Sequence, residues 1–198
     1  KKLEKKKGKG SRGLLLLLHQ KIADMRLLDP ACGCGNFLVI AYRELRLLEI
    51  EILRLLVKPD TQITGIDKLS RIDVDCMYGI EISEFPARIA EVALWLTDHQ
   101  MNVRLSEAFG HYFVRLPLRK SPTIVIGNAL RIDWRKVLPP DKCSHVLGNP
   151  PFVGAKFQTG EQRNDMKPLA AKLNGGGLLD YVAGWYLKAV EYIGDELI

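Results

Sequence analysis

The chain has 198 residues, 47% apolar and 26% charged, the profile of one globular domain with a sizeable core, which excludes fibrous, low-complexity and wholly disordered classes. Apolar runs such as Leu14–Leu18 and Phe37–Ala41 fall far short of the roughly 20 residues of a membrane-spanning helix, so no transmembrane or secretory segment is expected. The net charge of +6 resides in residues 1–12, where six lysines and Arg12 face only Glu4; the remainder carries 22 basic and 22 acidic groups, so residues 1–13 read as a basic, disordered terminus and not as a nucleic-acid surface.

In chain order, Leu14–Met25 has the spacing of a short helix, and Arg26–Asp29 that of a strand ending in an acid before Pro30. A glycine-rich turn follows. Phe37, Ile40, Ala41, Leu45, Leu48, Ile52, Leu55 and Leu56 then mark a helix from Asn36 to about Val57, with Arg43, Glu44, Arg46, Glu49 and Glu51 on the other positions. Residues 59–75 read as a connection in which Ile63–Ile66 could form a short strand. Met77–Ile82 is the second strand, and a helix opens at Ser83 or Glu84 and continues toward Gln100.

Thr123–Ile126 and Cys143–Leu147 are two further strands, the latter running into Gly148-Asn-Pro-Pro-Phe152. A polar, glycine-containing stretch reaches Gly177, and a last helix spans Asp180–Ile193. Short apolar strands separated by helices predict an α/β fold: a parallel, doubly wound sheet of at most four strands, with helices on both faces.

Three places carry chemistry. In Asp29-Pro-Ala-Cys-Gly-Cys-Gly-Asn-Phe37, glycines allow positive φ and close backbone approach to a ligand above the first strand. A dinucleotide fingerprint would place a third glycine where Leu38 stands, so hydride chemistry loses ground. Glu81 ends the second strand, where a carboxylate suits ribose hydroxyls. In Asn149-Pro150-Pro151-Phe152, the prolines fix φ and leave the Asn149 side-chain carbonyl and the Pro150 carbonyl as acceptors for an exocyclic amino group, beside the flat face of Phe152. A bland reading of each piece alone is a capped strand end or a proline-rich turn; the combination points to a ligand site.

The chain resembles the S-adenosylmethionine-dependent amino methyltransferases, and within them the DNA adenine N6 methyltransferases. It carries the Asp29–Phe37 turn, Gly79-Ile-Glu81, Gly127-Asn-Ala-Leu130 and Asn149-Pro-Pro-Phe152 in that order. Glu84–Leu94 and Leu179–Val182 with Trp185-Tyr186 look like the large type IIG, MmeI-like restriction–modification enzymes. The resemblance implies a Rossmann-like methyltransferase fold in which residues 14–198 are the N-terminal portion of a catalytic domain, with nuclease and target-recognition domains outside this chain.

By resemblance, Asp29, Gly33 and Gly35 line the methionine part of the cofactor, Glu81 holds its ribose, Ile82 packs on its adenine and Asn128 approaches the adenine amino group. Pro30, Ala31, Asn36, Phe37 and Ala129 complete the cofactor-binding set. Asn149 and Pro150 hold the target adenine N6, with Pro151 in the same loop and Phe152 stacking on the base. The implied reaction is methyl transfer from S-adenosylmethionine to a flipped-out adenine in double-stranded DNA, in the cytoplasm. Protein glutamine or RNA amino methylation, or a non-catalytic cofactor-binding role, are the alternatives.

Cys32, Cys34, Cys76 and Cys143 fit neither a disulfide framework nor paired zinc knuckles, so reduced thiols and no metal are expected. Cytosine C5 chemistry is disfavoured because no Pro-Cys dipeptide supplies the nucleophile. A nuclease signature can be assembled from Pro140-Asp141 and Asp165-Met-Lys167, although so short a pattern matches by chance.

Overall fold

The computed structural model describes residues 9–57, 70–110, 120–171, 173 and 176–194. The expected basic head before residue 9 and the Ile63–Ile66 strand lie outside the described residues. Four strands form one parallel sheet: β1 (Leu27–Asp29), β2 (Met77–Glu81), β3 (Thr123–Ile126) and β4 (His145–Val146), in the order β3-β2-β1-β4. The helices are α1 (Lys9–Ala23), α2 (Asn36–Leu56), α3 (Glu84–Phe109), α4 (Gly160–Ala170) and α5 (Ala183–Ile193).

Strand alternation builds two cores. Leu27 and its register partner Met77 join Leu38, Tyr42, Ile52 and Leu94 of α2 and α3 on one face. Leu28, offset by one, joins Ile80, Leu130, Trp134, Met166, Tyr181 and Trp185 on the other. The doubly wound arrangement is therefore observed. The strand order reverses between β1 and β4, and a crevice forms beyond their carboxyl ends at such a reversal.

Several boundaries differ from the sequence reading. Helix α1 begins at Lys9, before the expected Leu14. β2 stops at Glu81, leaving Ile82 beyond the strand and exposed. β4 is reduced to His145–Val146, although Ser144 and Leu147 still donate to the carbonyls of Arg26 and Leu28.

Helix α3 runs on to Phe109, closed by Gly110 at φ 67°. It continues because Ala87, Ala90, Leu94, Thr97, Met101 and Leu105 sustain one buried face. Its opposite side carries the exposed Phe85, Ile89, Val92, Leu96 and Val103, so the helix is apolar on two sides.

The polar stretch after residue 159 forms α4, which the sequence reading did not anticipate. Its start is a capping box in which the Thr159 hydroxyl accepts from Gln162 N and the Gln162 side chain accepts from Thr159 N. The last helix starts at Ala183, not Asp180.

Two of the charges assigned to the polar side of α2 are wholly buried. Arg46 donates to Asp98 at 2.8 Å and to Asn102 at 2.8 Å. Glu49 accepts from Ser70 Oγ at 2.9 Å and Arg71 N at 2.7 Å, with His19 Nε2 at 3.0 Å. Burial pushes the Glu49 carboxyl up, but the His19 contact and the Arg46 charge outweigh it and hold the group below the ordinary carboxylate range. This network ties α1, α2, α3 and residues 70–72 into one block behind the sheet.

Candidate active site

The turn after β1 is shaped by its glycines. Gly35, at φ 82°, packs so closely on α3 that a Cβ there would stand 2.9 Å from the Ala90 Cβ. Gly33, at φ 53°, presents its N–H to Glu81 Oε2 at 3.0 Å, and Ser83 N donates to Glu81 Oε1 at 3.0 Å. Two backbone donors thus orient the Glu81 carboxylate, leaving further lone pairs for a ligand.

Asp29 is 1% exposed, and only its Oδ1 is satisfied, by Ala31 N at 3.0 Å; Oδ2 is buried without a partner. Burial pushes its carboxyl up to about 6, and the nearby Glu81 charge adds to the effect against the Ala31 hydrogen bond. Gly148, just past β4, lies against this carboxylate: a Cβ there would be 2.6 Å from Asp29 Oδ1.

A cleft of about 530 Å³ opens beside the β1 turn, lined by Pro30, Ala31, Glu81, Ile82, Gly127, Asn128, Ala129, Asn149 and Pro151 together with residues of α4 and α5. The acid after β2 and the Asn-Pro-Pro loop after β4 therefore open onto the same hollow. Of the other residues singled out from the sequence, Asp29, Gly33 and Gly35 form the turn behind it. Asn36 and Phe37 sit on the exposed first turn of α2, away from the lining; Pro150 and Phe152 also fall outside it, and Phe152 is 70% exposed.

The loop carrying Asn149 is anchored by the residue that follows it. Val153 N donates to Asp180 Oδ1 at 3.0 Å, and the Val153 carbonyl accepts from Tyr181 N at 2.9 Å and Gln158 Nε2 at 3.2 Å. The Asn149 amide, exposed at the cleft, makes no hydrogen bond among the described residues.

Sequence reasoning missed the far wall. Thr159, Glu161, Gln162 and Asp165 of the α4 region, and Tyr181 and Trp185, complete the lining. The Thr159-x-x-Gln162 box was the signal that could have found α4. Tyr181 and Trp185 meet edge to face at 5.2 Å. Asp165 accepts from Asn128 Nδ2 at 2.8 Å, Arg131 Nε at 2.6 Å and the Tyr181 hydroxyl at 3.0 Å. Burial, followed by the Asp165 contact, pushes the Tyr181 hydroxyl up to about 12, so it stays a donor. Asp141 lines a separate hollow beside β4 and Lys167 donates to Asn164, so the conjectured nuclease residues do not assemble.

Glu81, Glu161 and Asp165 make the cleft acidic, and Arg131, the nearby cation, is paired with two of them. Such a cleft favours a cationic ligand. A reversed parallel sheet, a glycine turn on an acid and an Asn-Pro-Pro loop facing that acid together define a Rossmann-like methyltransferase fold.

The family model described as MmeI, DNA-methyltransferase domain, matches residues 2–197, and the chain belongs to that family. It is 36% identical over 179 residues to DNA methyltransferase A of Bacillus subtilis (strain 168), covering 88% of this chain and 20% of that protein. Among solved structures it is similar to the type IIL restriction-modification enzyme MmeI in complex with DNA, at 54% identity and a TM-score of 0.88, covering 92% of this chain and 24% of that one. The ATP-dependent type ISP enzyme LlaBIII bound to DNA shares the fold at 18% identity and a TM-score of 0.52, over 88% of this chain and 12% of that one. The chain thus spans about a quarter or less of the length of these relatives.

Proposed function

We propose that the chain carries the donor and acceptor sites of an S-adenosylmethionine-dependent DNA adenine N6-methyltransferase within a restriction–modification enzyme that acts in the cytoplasm, with target recognition and cleavage assigned to other parts of the intact protein. The observation that carries this reading is the shared cleft: Glu81 and Asn149 line one hollow, on opposite sides of β1. Family membership and the DNA complex of MmeI support DNA as the substrate class.

The residues fit the methyl donor. The unpartnered Asp29 Oδ2 calls for a donor such as an α-amino group, and the acidic lining matches a molecule with a net positive charge. Glu81 is set for ribose hydroxyls, Ile82 for the base face and Asn128 for the base edge. When bound, the cofactor supplies a methyl group on a sulfonium sulfur.

On the acceptor side, the target base must leave the helical stack, at a cost of a few kcal/mol that pocket contacts offset. The Asn149 side-chain carbonyl and the Pro150 carbonyl accept the two N–H groups of N6 and turn its lone pair toward the donor side. Phe152 offers its exposed ring to the base face. Withdrawing the amino lone pair from ring conjugation makes that nitrogen the nucleophile, and its proton leaves to solvent after transfer.

The test is transfer of tritiated methyl from S-adenosylmethionine to duplex DNA by the intact protein, with the DNA digested to nucleosides. Label in N6-methyl-2′-deoxyadenosine is the expected result. Label only in protein or RNA, or none in DNA, overturns the reading.

A further inference from the structure

The Asn128 amide is pinned in one orientation, and Asp165 does the pinning. A carboxylate accepts hydrogen bonds and never donates them, so the Asn128 atom 2.8 Å from Asp165 Oδ2 is the amide nitrogen. The amide oxygen meets the Leu130 N–H, which only donates, at 2.9 Å. Both contacts demand the same orientation, because a flipped amide would oppose donor to donor at one end and acceptor to acceptor at the other.

Asp165 is itself immobilised by Arg131 and Tyr181, with its side chain 4% exposed. Asn128 and Asp165 both line the cleft that holds Glu81 and Ile82. Leu130 uses one lone pair of the Asn128 oxygen, and the second remains.

We propose that Asp165 is a positioning residue for nucleobase selection. By fixing Asn128 it holds the amide oxygen, with its second lone pair, for position 6 of the cofactor's base, so that a 6-amino purine is accepted and a 6-oxo purine refused. The assignment rests on the reading of this cleft as the S-adenosylmethionine site. A 6-oxo group would set acceptor against acceptor, and turning the amide to relieve the clash would break its bonds to both Asp165 and Leu130. The discrimination expected from one such unmatched buried contact is about ten- to a hundredfold.

The experiment uses equilibrium binding to the intact protein, measured by titration calorimetry, of S-adenosylhomocysteine and of S-inosylhomocysteine, its 6-oxo counterpart. The unaltered protein is expected to prefer the adenine compound by at least tenfold. Asp165→Asn keeps the size of the side chain but can donate as well as accept, which removes one of the two bonds that fix Asn128 and leaves only the Leu130 N–H to oppose a turned amide; the preference is expected to fall at least fivefold. The exchange Asn128→Asp with Asp165→Asn restores an acceptor at 128 and a donor at 165, and is expected to return the preference to within about twofold of the unaltered protein. Should Asp165→Asn fail to fold, the exchange, which conserves the charge, carries the test on its own.

A preference that survives Asp165→Asn while Asn128→Ala abolishes it overturns the role of Asp165 and leaves the cofactor site standing. A preference lost in Asp165→Asn and not regained in the exchange makes Asp165 merely structural, which also overturns the proposal. Failure of the unaltered protein to bind either compound overturns the cofactor reading instead.

Discussion

The indole N–H of Trp185 donates to the carbonyl of Pro30 at 3.0 Å, joining two residues 155 positions apart in the chain. This bond fastens α5 to the turn after β1 and holds both against the cleft. Trp185→Phe keeps most of the packing but leaves the Pro30 carbonyl without its donor. We expect a loss of about 1 kcal/mol in urea unfolding and a several-fold weaker binding of S-adenosylhomocysteine. Unchanged affinity would show that the turn keeps its shape without α5.

Asp29 trades stability for charge. Its carboxyl is lifted from 3.8 to about 6 by burial, so ionisation is harder in the folded than in the unfolded chain. The penalty is absent below pH 3.8, grows between pH 3.8 and about 6, and is complete above that, on the order of 3 kcal/mol. Asp29→Asn is expected to melt at a higher temperature than the unaltered protein at pH 8 and at nearly the same temperature at pH 4. The same change is expected to weaken S-adenosylhomocysteine binding at least tenfold at pH 8. Scanning and titration calorimetry check both; lower stability of the variant at pH 8 would count against burial as the cause.

Gly148 and Asp29 are packed without room for a methyl group. Gly148 sits at φ 155°, and an added Cβ would lie 2.6 Å from Asp29 Oδ1. Gly148→Ala is expected to cost about 1–3 kcal/mol in chemical unfolding, through strain and overlap combined, and to weaken cofactor binding. Full stability would mean that the tip of β4 can slide away from β1.

In the proposed function Asn149 acts on the acceptor, not the donor. Asn149→Ala in the intact protein is expected to lower methyl transfer by at least a hundredfold, with the dissociation constant of S-adenosylhomocysteine within about threefold of the original. Undiminished turnover in the tritium assay contradicts the assigned role.

The buried charges behind the sheet give a prediction about folding alone. Arg46→Met strips Glu49 and Asp98 of their cation, and we expect a loss of about 3–5 kcal/mol in denaturant unfolding. Adding Asp98→Asn should recover part of it, a coupling that a double-mutant cycle measures. Strict additivity would mean that the two residues stabilise the fold independently.

All four strands were legible because each is a short apolar run closed by glycine, proline or an acid, as in Leu27-Leu28-Asp29-Pro30. The shared cleft was legible as well: Glu81 and Asn149 stand at strand ends, and a parallel sheet brings such ends to one side. Helix α4 was hidden because Gly160, Asn164 and Pro168 argue against a helix one residue at a time, while the Thr159 capping box and the burial of Asp165 and Met166 decide for it. The burial of Arg46 and Glu49 was not legible, because a charge pattern along α2 cannot reveal that α1, α3 and residues 70–72 close over it with matching partners. Phe37 was expected at the ligand, but the helix it opens points it to solvent.

Because β1 is flanked by β2 on one side and β4 on the other, the donor and acceptor grips proposed above hang from separate neighbours of one central strand. Changes beyond Gly148 can therefore reshape the acceptor side with the β2 side left in place, whereas Gly148 itself, packed on Asp29, ties the two together. Novelty in substrate and conservatism in methyl source are, on this architecture, separable everywhere but at that contact.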